Sequence, residues 1–329
     1  FVIFLKNSKW KIIRLFILKT DKLMKTSRRD FIRTGVLATA GLALVPSTVY
    51  AARKGKGKGI VGLQLYSIRK EMSDDPLGSL KQVAGMGYKY VEHANYVNGK
   101  FYGYSPSEFR KILDDLGLNM ISGHTVMGRQ HWDESKNDFS DSWKQTVEDA
   151  AILGQKYVVS PSMDNSMRSN YDDFKRYMDV FNKCGELCRR SGMKFGYHNH
   201  DFEFSESLNN QKLFDIMMNS MDPDMVVVQL DIGNLYNGGA IALDVVKQYP
   251  GRFENIHVKD EIISSGGPEK YESTIIGQGI VSAKKVIDLA TQIGGTEVYI
   301  IEQESYQGKA PMDCMKINLE VMKKWGYGA

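Results

Sequence analysis

The sequence predicts an α/β protein built as a closed (β/α)₈ barrel in a single domain. From residue 60 onward, short β-branched or aromatic runs alternate with longer segments of helical period. Eight such pairs fit into about 270 residues, and no linker or change in composition separates them. These units match a closed barrel better than an open doubly wound sheet, and the absence of a GxGxxG or Walker motif after the first predicted strand disfavours a nucleotide-binding protein.

Each predicted strand is a short run rich in β-branched or aromatic residues. Helix boundaries carry capping signals: Ser105-Pro106-Ser107-Glu108 reads as a capping box with Pro in the first turn, and Gly117, Gly154 and Gly192 stand at helix ends. The predicted strands are 60–66, 88–93, 119–125, 156–161, 194–199, 226–231, 253–260 and 297–303, and the predicted helices are 76–86, 105–116, 138–153, 171–191, 208–220, 239–248, 282–293 and 310–325.

Composition and charge restrict the function. The 329 residues are 42% hydrophobic and 25% charged, with 3 Cys, which excludes a disulfide scaffold and wholesale disorder. Residues 1–51 hold 10 Lys+Arg and 2 Asp+Glu, so the other 278 residues hold 33 and 37 and carry a net charge of −4. We therefore expect no nucleic-acid partner.

The N-terminal region reads as an export signal. Residues 24–51 have a charged start, an apolar stretch and a small-residue end, and the apolar stretch is too short to span a bilayer. Arg28 and Arg29 resemble the twin-arginine signal, so we expect an exported, periplasmic protein without integral membrane association after cleavage. We expect 1–23 to be a non-native upstream extension, 52–59 a flexible lead-in and 60–325 the barrel.

Polar residues gather at the C-terminal ends of the predicted strands, which is where a barrel of this kind has its active site. They include five of the six His of the chain. Imidazoles and carboxylates on successive strands suit a divalent metal, although a lone Asp at a strand end commonly caps a helix. The residues are Gln64, Tyr66, Glu92, His93, His124, Ser160, His198, Asn199, His200, Asp231, His257, Lys259, Asp260, Glu302 and Glu304.

Several segments together resemble the xylose isomerase-like TIM-barrel family, the sugar phosphate isomerase/epimerase group. The resemblance covers residues 60–325, and that family includes isomerases, epimerases, dehydratases, lyases and endonucleases. The segments are Gly62-Leu63-Gln64-Leu65-Tyr66-Ser67, Tyr197-His198-Asn199-His200-Asp201, Leu230-Asp231-Ile232-Gly233-Asn234, Ile256-His257-Val258-Lys259-Asp260, Gly277-Gln278-Gly279 and Ile301-Glu302-Gln303.

The resemblance implies one divalent metal ion held by His198, Asp231, His257 and Glu302. In the ketose epimerases of the family a glutamate stands at the position of His198. His200 lies on the same strand face and is the alternative first ligand. Such mixed nitrogen and oxygen ligands suit Mn, Co, Ni or Zn.

A metal beside a carboxylate and a Lys favours enolisation next to a carbonyl. Glu302 or the neighbouring Glu304 is the expected base, and Lys259 or His124 the group that protonates a leaving group or steadies the oxyanion. The residues expected to bind substrate are Gln64, Tyr66, Glu92, His124, His200 and Glu304.

The functional prediction is therefore a divalent-metal-dependent isomerase or epimerase that enolises a keto-sugar or related small carbohydrate. One alternative is a lyase or dehydratase that eliminates a β-substituent from 3-keto-glycosides or inosose-like substrates. A second is a non-catalytic sugar-binding barrel. An abasic-site endonuclease is disfavoured, because that enzyme type needs a multi-zinc cluster and a basic groove. The oligomeric state stays open.

Overall fold

The structure is a computed structural model that describes residues 59–266 and 269–328. The expected extension at 1–23, the export signal at 24–51 and nearly all of the lead-in at 52–59 lie outside these residues. In the described part of the chain, no helix combines the length and the apolar character needed to cross a membrane.

Eight parallel strands close into one barrel, in the order in which they follow along the chain. The last strand pairs with the first, with Val298 opposite Ile60. This closed order confirms the predicted fold. The strands are β1 (Ile60–Gln64), β2 (Tyr90–His93), β3 (Asn119–His124), β4 (Tyr157–Ser160), β5 (Lys194–His198), β6 (Val226–Asp231), β7 (Asn255–Val258) and β8 (Val298–Ile301).

Eight helices that connect successive strands, or follow the last one, surround the barrel. The capping box at Ser105 is present, and Gly117 ends the second of these helices with a left-handed φ of 65°. The helices are α1 (Pro76–Met86), α2 (Pro106–Leu116), α3 (Asp141–Ile152), α4 (Tyr171–Arg190), α5 (Leu213–Ser220), α6 (Ala242–Gln248), α7 (Ala283–Leu289) and α8 (Pro311–Lys324).

The observed boundaries differ from the predicted ones where short elements occupy the loops. β1 stops at Gln64, because the Oε1 of Gln64 accepts a hydrogen bond from the Tyr66 backbone N–H at 3.0 Å and starts a 3₁₀ turn, Leu65–Ile68. Two-stranded hairpins precede α3 and α5 and delay their starts. Further short helices span Arg69–Asp74, Phe202–Ser205 and Ile232–Asn237, and a hairpin of Asp260–Ile263 and Tyr271–Thr274 follows β7.

The interior of the barrel changes from apolar to polar toward the C-terminal ends of the strands. Tyr157, Val159, Val227, Val298 and Ile300 form one buried apolar cluster. Because side chains alternate along a strand, the next inward-facing residues after Val227 are Gln229 and Asp231, and the next after Ile300 is Glu302. The apolar cluster is therefore the floor on which the polar groups rest.

Candidate metal centre and active site

Four side chains from four neighbouring strands converge at the mouth of the barrel. Each of His198, Asp231, His257 and Glu302 offers one ligand atom, and these atoms lie within 4.8 Å of one another. All four residues are buried. The set contains two imidazoles and two carboxylates, which is a donor set that transition metals accept.

One carboxylate oxygen of Asp231 accepts two hydrogen bonds, and the other accepts none. The carboxylate caps the helix Ile232–Asn237: its Oδ1 accepts from the backbone N–H of Gly233 at 2.8 Å and of Asn234 at 2.7 Å. Its Oδ2 is buried and has no hydrogen-bond partner. Asp231 is thus a helix cap and also presents to the centre an oxygen with no hydrogen bond; the Lys259 ammonium lies 4.0 Å from this oxygen, beyond hydrogen-bond distance, and a metal ion in direct contact would satisfy it.

His257 is held by carboxylates on both ring nitrogens. Its Nε2 donates to Glu92 Oε1 at 2.5 Å, and its Nδ1 lies 3.0 Å from Glu302 Oε2 and 3.9 Å from Asp231 Oδ2. With Nε2 carrying the proton, Nδ1 and the Glu302 oxygen face each other as two acceptors, so a proton or a metal ion must lie between them. A buried carboxylate behind a histidine is the usual support of a metal ligand.

His198, the residue of least certain role in the sequence, lies in the donor cluster. Its Nδ1 donates to Gln229 Oε1 at 3.0 Å, and its Nε2 accepts from Asn234 Nδ2 at 3.3 Å and lies 3.9 Å from Asp231 Oδ2. His200 lies outside the cluster, and its Nδ1 is buried without a partner. The geometry therefore favours His198 over His200 as the first ligand.

The residues Gln64, Glu92 and Gln229 form a buried layer below the cluster, each with 0% of its surface exposed. Glu92 accepts from Gln64 Nε2 at 2.8 Å, from Gln229 Nε2 at 2.7 Å and from Ser122. A carboxylate can only accept here, so the amide of Gln229 must turn its oxygen toward the histidines. We therefore revise the expected roles of Gln64 and Glu92 from substrate binding to support of the centre, because neither reaches the cavity.

His124 stands between this layer and the cavity. Its Nδ1 accepts from Gln64 Nε2 at 3.2 Å and its Nε2 donates to Gln229 Oε1 at 2.7 Å. The same Gln229 oxygen also accepts a hydrogen bond from His198 Nδ1, so one amide orients both rings. Gln229 was not predicted from the sequence, where it is a single amide within an apolar strand.

Lys259 lies beside the two carboxylates of the candidate centre. Its Nζ is 3.7 Å from Glu302 Oε2 and 4.0 Å from Asp231 Oδ2, and it donates to Glu304 Oε1 at 2.5 Å and to Asn234 Oδ1 at 3.1 Å. Asn234 was also missed by the sequence analysis. The motif that contains it was noted, but its amide acquires a role only through contacts with other segments of the chain.

The electrostatics of the centre follow from burial and charge pairing. Burial raises the pKa of Asp231 above its ordinary value. Burial also opposes ionisation of Glu302, but Lys259 and His257 outweigh it and hold the Glu302 pKa well below its usual range. For His257 burial lowers the pKa, yet Glu92 and Glu302 together raise it to about 10. The neighbouring carboxylates thus favour a positive charge on the ring of His257.

A cavity of about 860 Å³ opens above the cluster. Of the residues predicted to bind substrate, Tyr66, His124, His200 and Glu304 line it, and so do the ligand candidates His198 and Glu302. His131 also lines it, although the sequence placed this residue away from the strand ends. His131 arrives on the loop after β3, a position that strand-end reasoning does not cover.

Comparisons with known proteins agree on the fold. The model of a family described as xylose isomerase-like TIM barrel matches residues 80–325. An inosose dehydratase of Geobacillus kaustophilus is 24% identical over 198 residues, which cover 55% of this chain and 60% of that protein. The chain spans less than two thirds of the length of the first curated relatives it matches.

Solved structures extend the comparison. A sugar phosphate isomerase/epimerase from Parabacteroides distasonis superposes with a TM-score of 0.68 at 26% identity, covering 85% of this chain and 98% of that one. The IOLI protein, solved with a bound zinc atom, superposes with a TM-score of 0.61 at 15% identity, covering 81% and 97%, a likeness of fold alone.

Proposed function

The chain belongs to the xylose isomerase-like TIM-barrel family, and on that premise we propose that it is a divalent-metal-dependent enzyme that enolises a keto-sugar or related carbohydrate. One observation carries the proposal. The Asp231 oxygen that accepts no hydrogen bond, the Nδ1 of His257 and the Oε2 of Glu302 face one another beside a cavity open to a small molecule.

The proposed ligands are His198, Asp231, His257 and Glu302. When bound, a Mn, Co, Ni or Zn ion supplies a Lewis acid that polarises a carbonyl and acidifies the carbon next to it. The support comes from the buried layer: Glu92 fixes the ring of His257, and Gln229 fixes the ring of His198.

We assign proton removal to Glu304. Glu302 is committed to the donor cluster, whereas Glu304 lies outside it, lines the cavity and is more exposed. The sequence offered either carboxylate as the base, with Glu302 first. Lys259 Nζ, bonded to Glu304 Oε1, steadies the ionised base and can pass a proton to a group that leaves the substrate.

Elimination is a second candidate outcome of the same first step. Epimerisation needs an acid/base pair on opposite faces of one carbon, and the carboxylate that serves one face in ketose epimerases is here His198. Lys259, by contrast, is an ammonium group within 4.0 Å of both proposed ligand carboxylates, which hold it charged, so it can stabilise the negative charge that forms on a leaving oxygen. His124 is the remaining candidate for the group that stabilises the oxyanion.

The proposed substrate is not phosphorylated. Arg69 donates to Tyr306 and stacks over Tyr66, and it does not line the main cavity. The ammonium group of Lys259 is paired with Glu304. Among the described residues that line the main cavity there is no Lys or Arg. A neutral sugar fits this lining better than a sugar phosphate.

We also propose that the protein is exported to the periplasm, on the basis of Arg28 and Arg29 within residues 24–51. Replacing both Arg by Lys is expected to retain the protein in the cytoplasm, measured by cell fractionation. Unchanged distribution of the variant would contradict twin-arginine export.

Solvent deuterium exchange tests enolisation itself, whether the enolate is then reprotonated or loses a β-substituent. The protein is loaded with Mn or Zn and incubated in D₂O with keto-sugars and 3-keto-glycosides, and proton NMR follows loss of the α-proton and any new product. We expect exchange with at least one of them. Glu304→Gln should slow it by about 10²–10⁴-fold with the metal retained, whereas Glu302→Gln should lose both the metal and the exchange.

Glu186→Gln, an exposed position on α4, is the control and should behave as the original protein. Exchange at the original rate in Glu304→Gln would show that a residue other than Glu304 removes the proton. If the metal-loaded protein binds sugars but exchanges no proton of any of them, the enzyme proposal is contradicted and the protein is a non-catalytic sugar-binding barrel.

A further inference from the structure

A second cavity adjoins the one above the metal centre. It has a volume of about 740 Å³, and it shares His200, Asn234 and Glu304 with the main cavity. The main cavity alone is already as large as sites that enclose drug-sized ligands. The two therefore form one cleft with more room than a single sugar ring requires.

The hairpin after β7 forms one wall of the second cavity and is anchored rigidly. Asp260, at its start, accepts hydrogen bonds from the backbone N–H groups of Gly277 at 2.8 Å, Gly279 at 3.1 Å and Val281 at 3.1 Å. These bonds tie the hairpin to the loop before α7. Side chains on the hairpin are thus held in place before a ligand arrives.

Glu261, the next residue, lines this cavity and lacks a partner on one oxygen. Only 1% of its surface is exposed, and its Oε2 is buried without a hydrogen bond. A buried carboxylate oxygen is costly to leave unsatisfied. A hydroxyl group of a ligand can donate to it and remove that cost.

The charge of the lining selects the kind of ligand. Five acidic residues line the second cavity, and of its two Lys, Lys259 is already bonded to Glu304. Such a lining repels phosphate and carboxylate groups. Four Ser, two Asn and one Tyr also line it, and these groups bond well to hydroxyls.

We propose that the second cavity holds a neutral, hydroxyl-rich sugar unit joined to the ring that reacts, so that the substrate is a disaccharide-sized glycoside. This inference rests on the proposed function for the reacting ring. Lys259 lines the second cavity and also lies 3.7 Å from Glu302 Oε2, which puts its ammonium group at the junction of the two units. Glu261 is then a specificity-determining residue.

Calorimetric titration of the metal-loaded protein tests the second subsite without any turnover. The probes are methyl glucosides and α- and β-linked glucose disaccharides. We expect at least one disaccharide to bind about tenfold or more tightly than the methyl glucoside. Glu261→Gln should reduce this preference by roughly 3- to 10-fold, the usual scale for one hydrogen bond.

Asn237→Trp is the second variant, because Asn237 is exposed, lines the second cavity and tolerates a large side chain without repacking the core. It should abolish the preference by filling the space, and Glu186→Gln should leave it unchanged. Equal binding of mono- and disaccharides, or a preference that survives both cavity variants, overturns the subsite.

Deuterium exchange separates this result from the proposed function. A disaccharide preference that depends on Glu261, without exchange of any keto-sugar, supports the subsite and contradicts the enzyme. Exchange of 3-keto-methyl-glucoside at the same kcat/KM as the 3-keto-disaccharides supports the enzyme and overturns the subsite.

Discussion

Replacing Glu92 by Gln removes the buried charge behind the proposed metal ligand His257 and keeps the size of the side chain. Glu92 Oε1 lies 2.5 Å from His257 Nε2, and its two oxygens also receive donors from Gln64, Gln229 and Ser122. A Gln has one accepting oxygen, so its amide must turn an N–H toward groups that themselves donate.

The magnitude follows from these contacts. Loss of a hydrogen-bonded carboxylate behind a metal-bound histidine typically lowers metal affinity about 10–100-fold, which corresponds to about 1.4–2.7 kcal/mol. At least one buried donor also loses its acceptor, which costs about 1–3 kcal/mol in the unfolding free energy of the metal-free protein. Both effects should therefore appear in Glu92→Gln.

The assay is a competition titration of Zn against a chromophoric chelator, with urea denaturation of the metal-free protein measured separately. Glu203→Gln is the matched control, because Glu203 is also fully buried but bonds to Tyr197 and to the backbone of His200. We expect its Zn affinity to stay within about threefold of the original. Zn binding by Glu92→Gln within twofold of the original, or an equal loss in Glu203→Gln, would refute the reasoning.

Three further predictions concern other parts of the structure. His198→Ala should lose the metal, whereas His200→Ala should keep it and raise KM, as elemental analysis and kinetics would show; the reverse pattern would make His200 the ligand. Burial raises the pKa of Glu203 from 4.5 to about 7, so the folded protein holds a proton that the unfolded chain releases; stability should fall by about 3 kcal/mol as pH rises from 4.5 to 7. Urea denaturation of Glu203→Gln should lack that part of the pH dependence, and an unchanged slope would contradict the assignment. Gly123→Ala would place a Cβ 1.8 Å from His93 Nε2, so we expect a loss of about 1–3 kcal/mol in unfolding free energy, and a loss under 0.5 kcal/mol would show that the ring can move aside.

The barrel was predictable because its local and global signals agree. Strand 226–231 is found with the predicted ends, since an apolar run stops at Asp231, which begins the next helix. Other strands were predicted too long at one or both ends. The residues after Gln64, for example, still look apolar and aromatic, but they form a 3₁₀ turn that depends on the side chain of Gln64.

The candidate centre was predictable from two rules, that barrel sites lie at the C-terminal ends of strands and that strand side chains alternate. These rules bring the polar residues at the strand ends to one place, and the resemblance to the xylose isomerase-like family selects His198, Asp231, His257 and Glu302 among them. They do not give depth, so Gln64 and Glu92 were expected to touch substrate although they are fully buried. Only the closed barrel shows which inward-facing residues line the cavity and which lie buried below it.

The remaining features depend on contacts between distant segments. Gln229 acquires its role by meeting Glu92, which is 137 residues away in the chain, and a lone amide in an apolar strand carries no local signal of that contact. The second cavity depends on a hairpin within the region that sequence reasoning treated as a loop between strand 253–260 and helix 282–293.

The most direct test of the metal centre is the metal content of the purified protein, measured by elemental analysis beside Asp231→Ala and His257→Ala. The arrangement of Asp231 Oδ2 and His257 Nδ1 predicts about one transition-metal ion per chain, lost in both variants. A protein that holds no divalent ion even after reconstitution, or variants that retain the ion of the original, would contradict the metal-dependent enzyme proposed here.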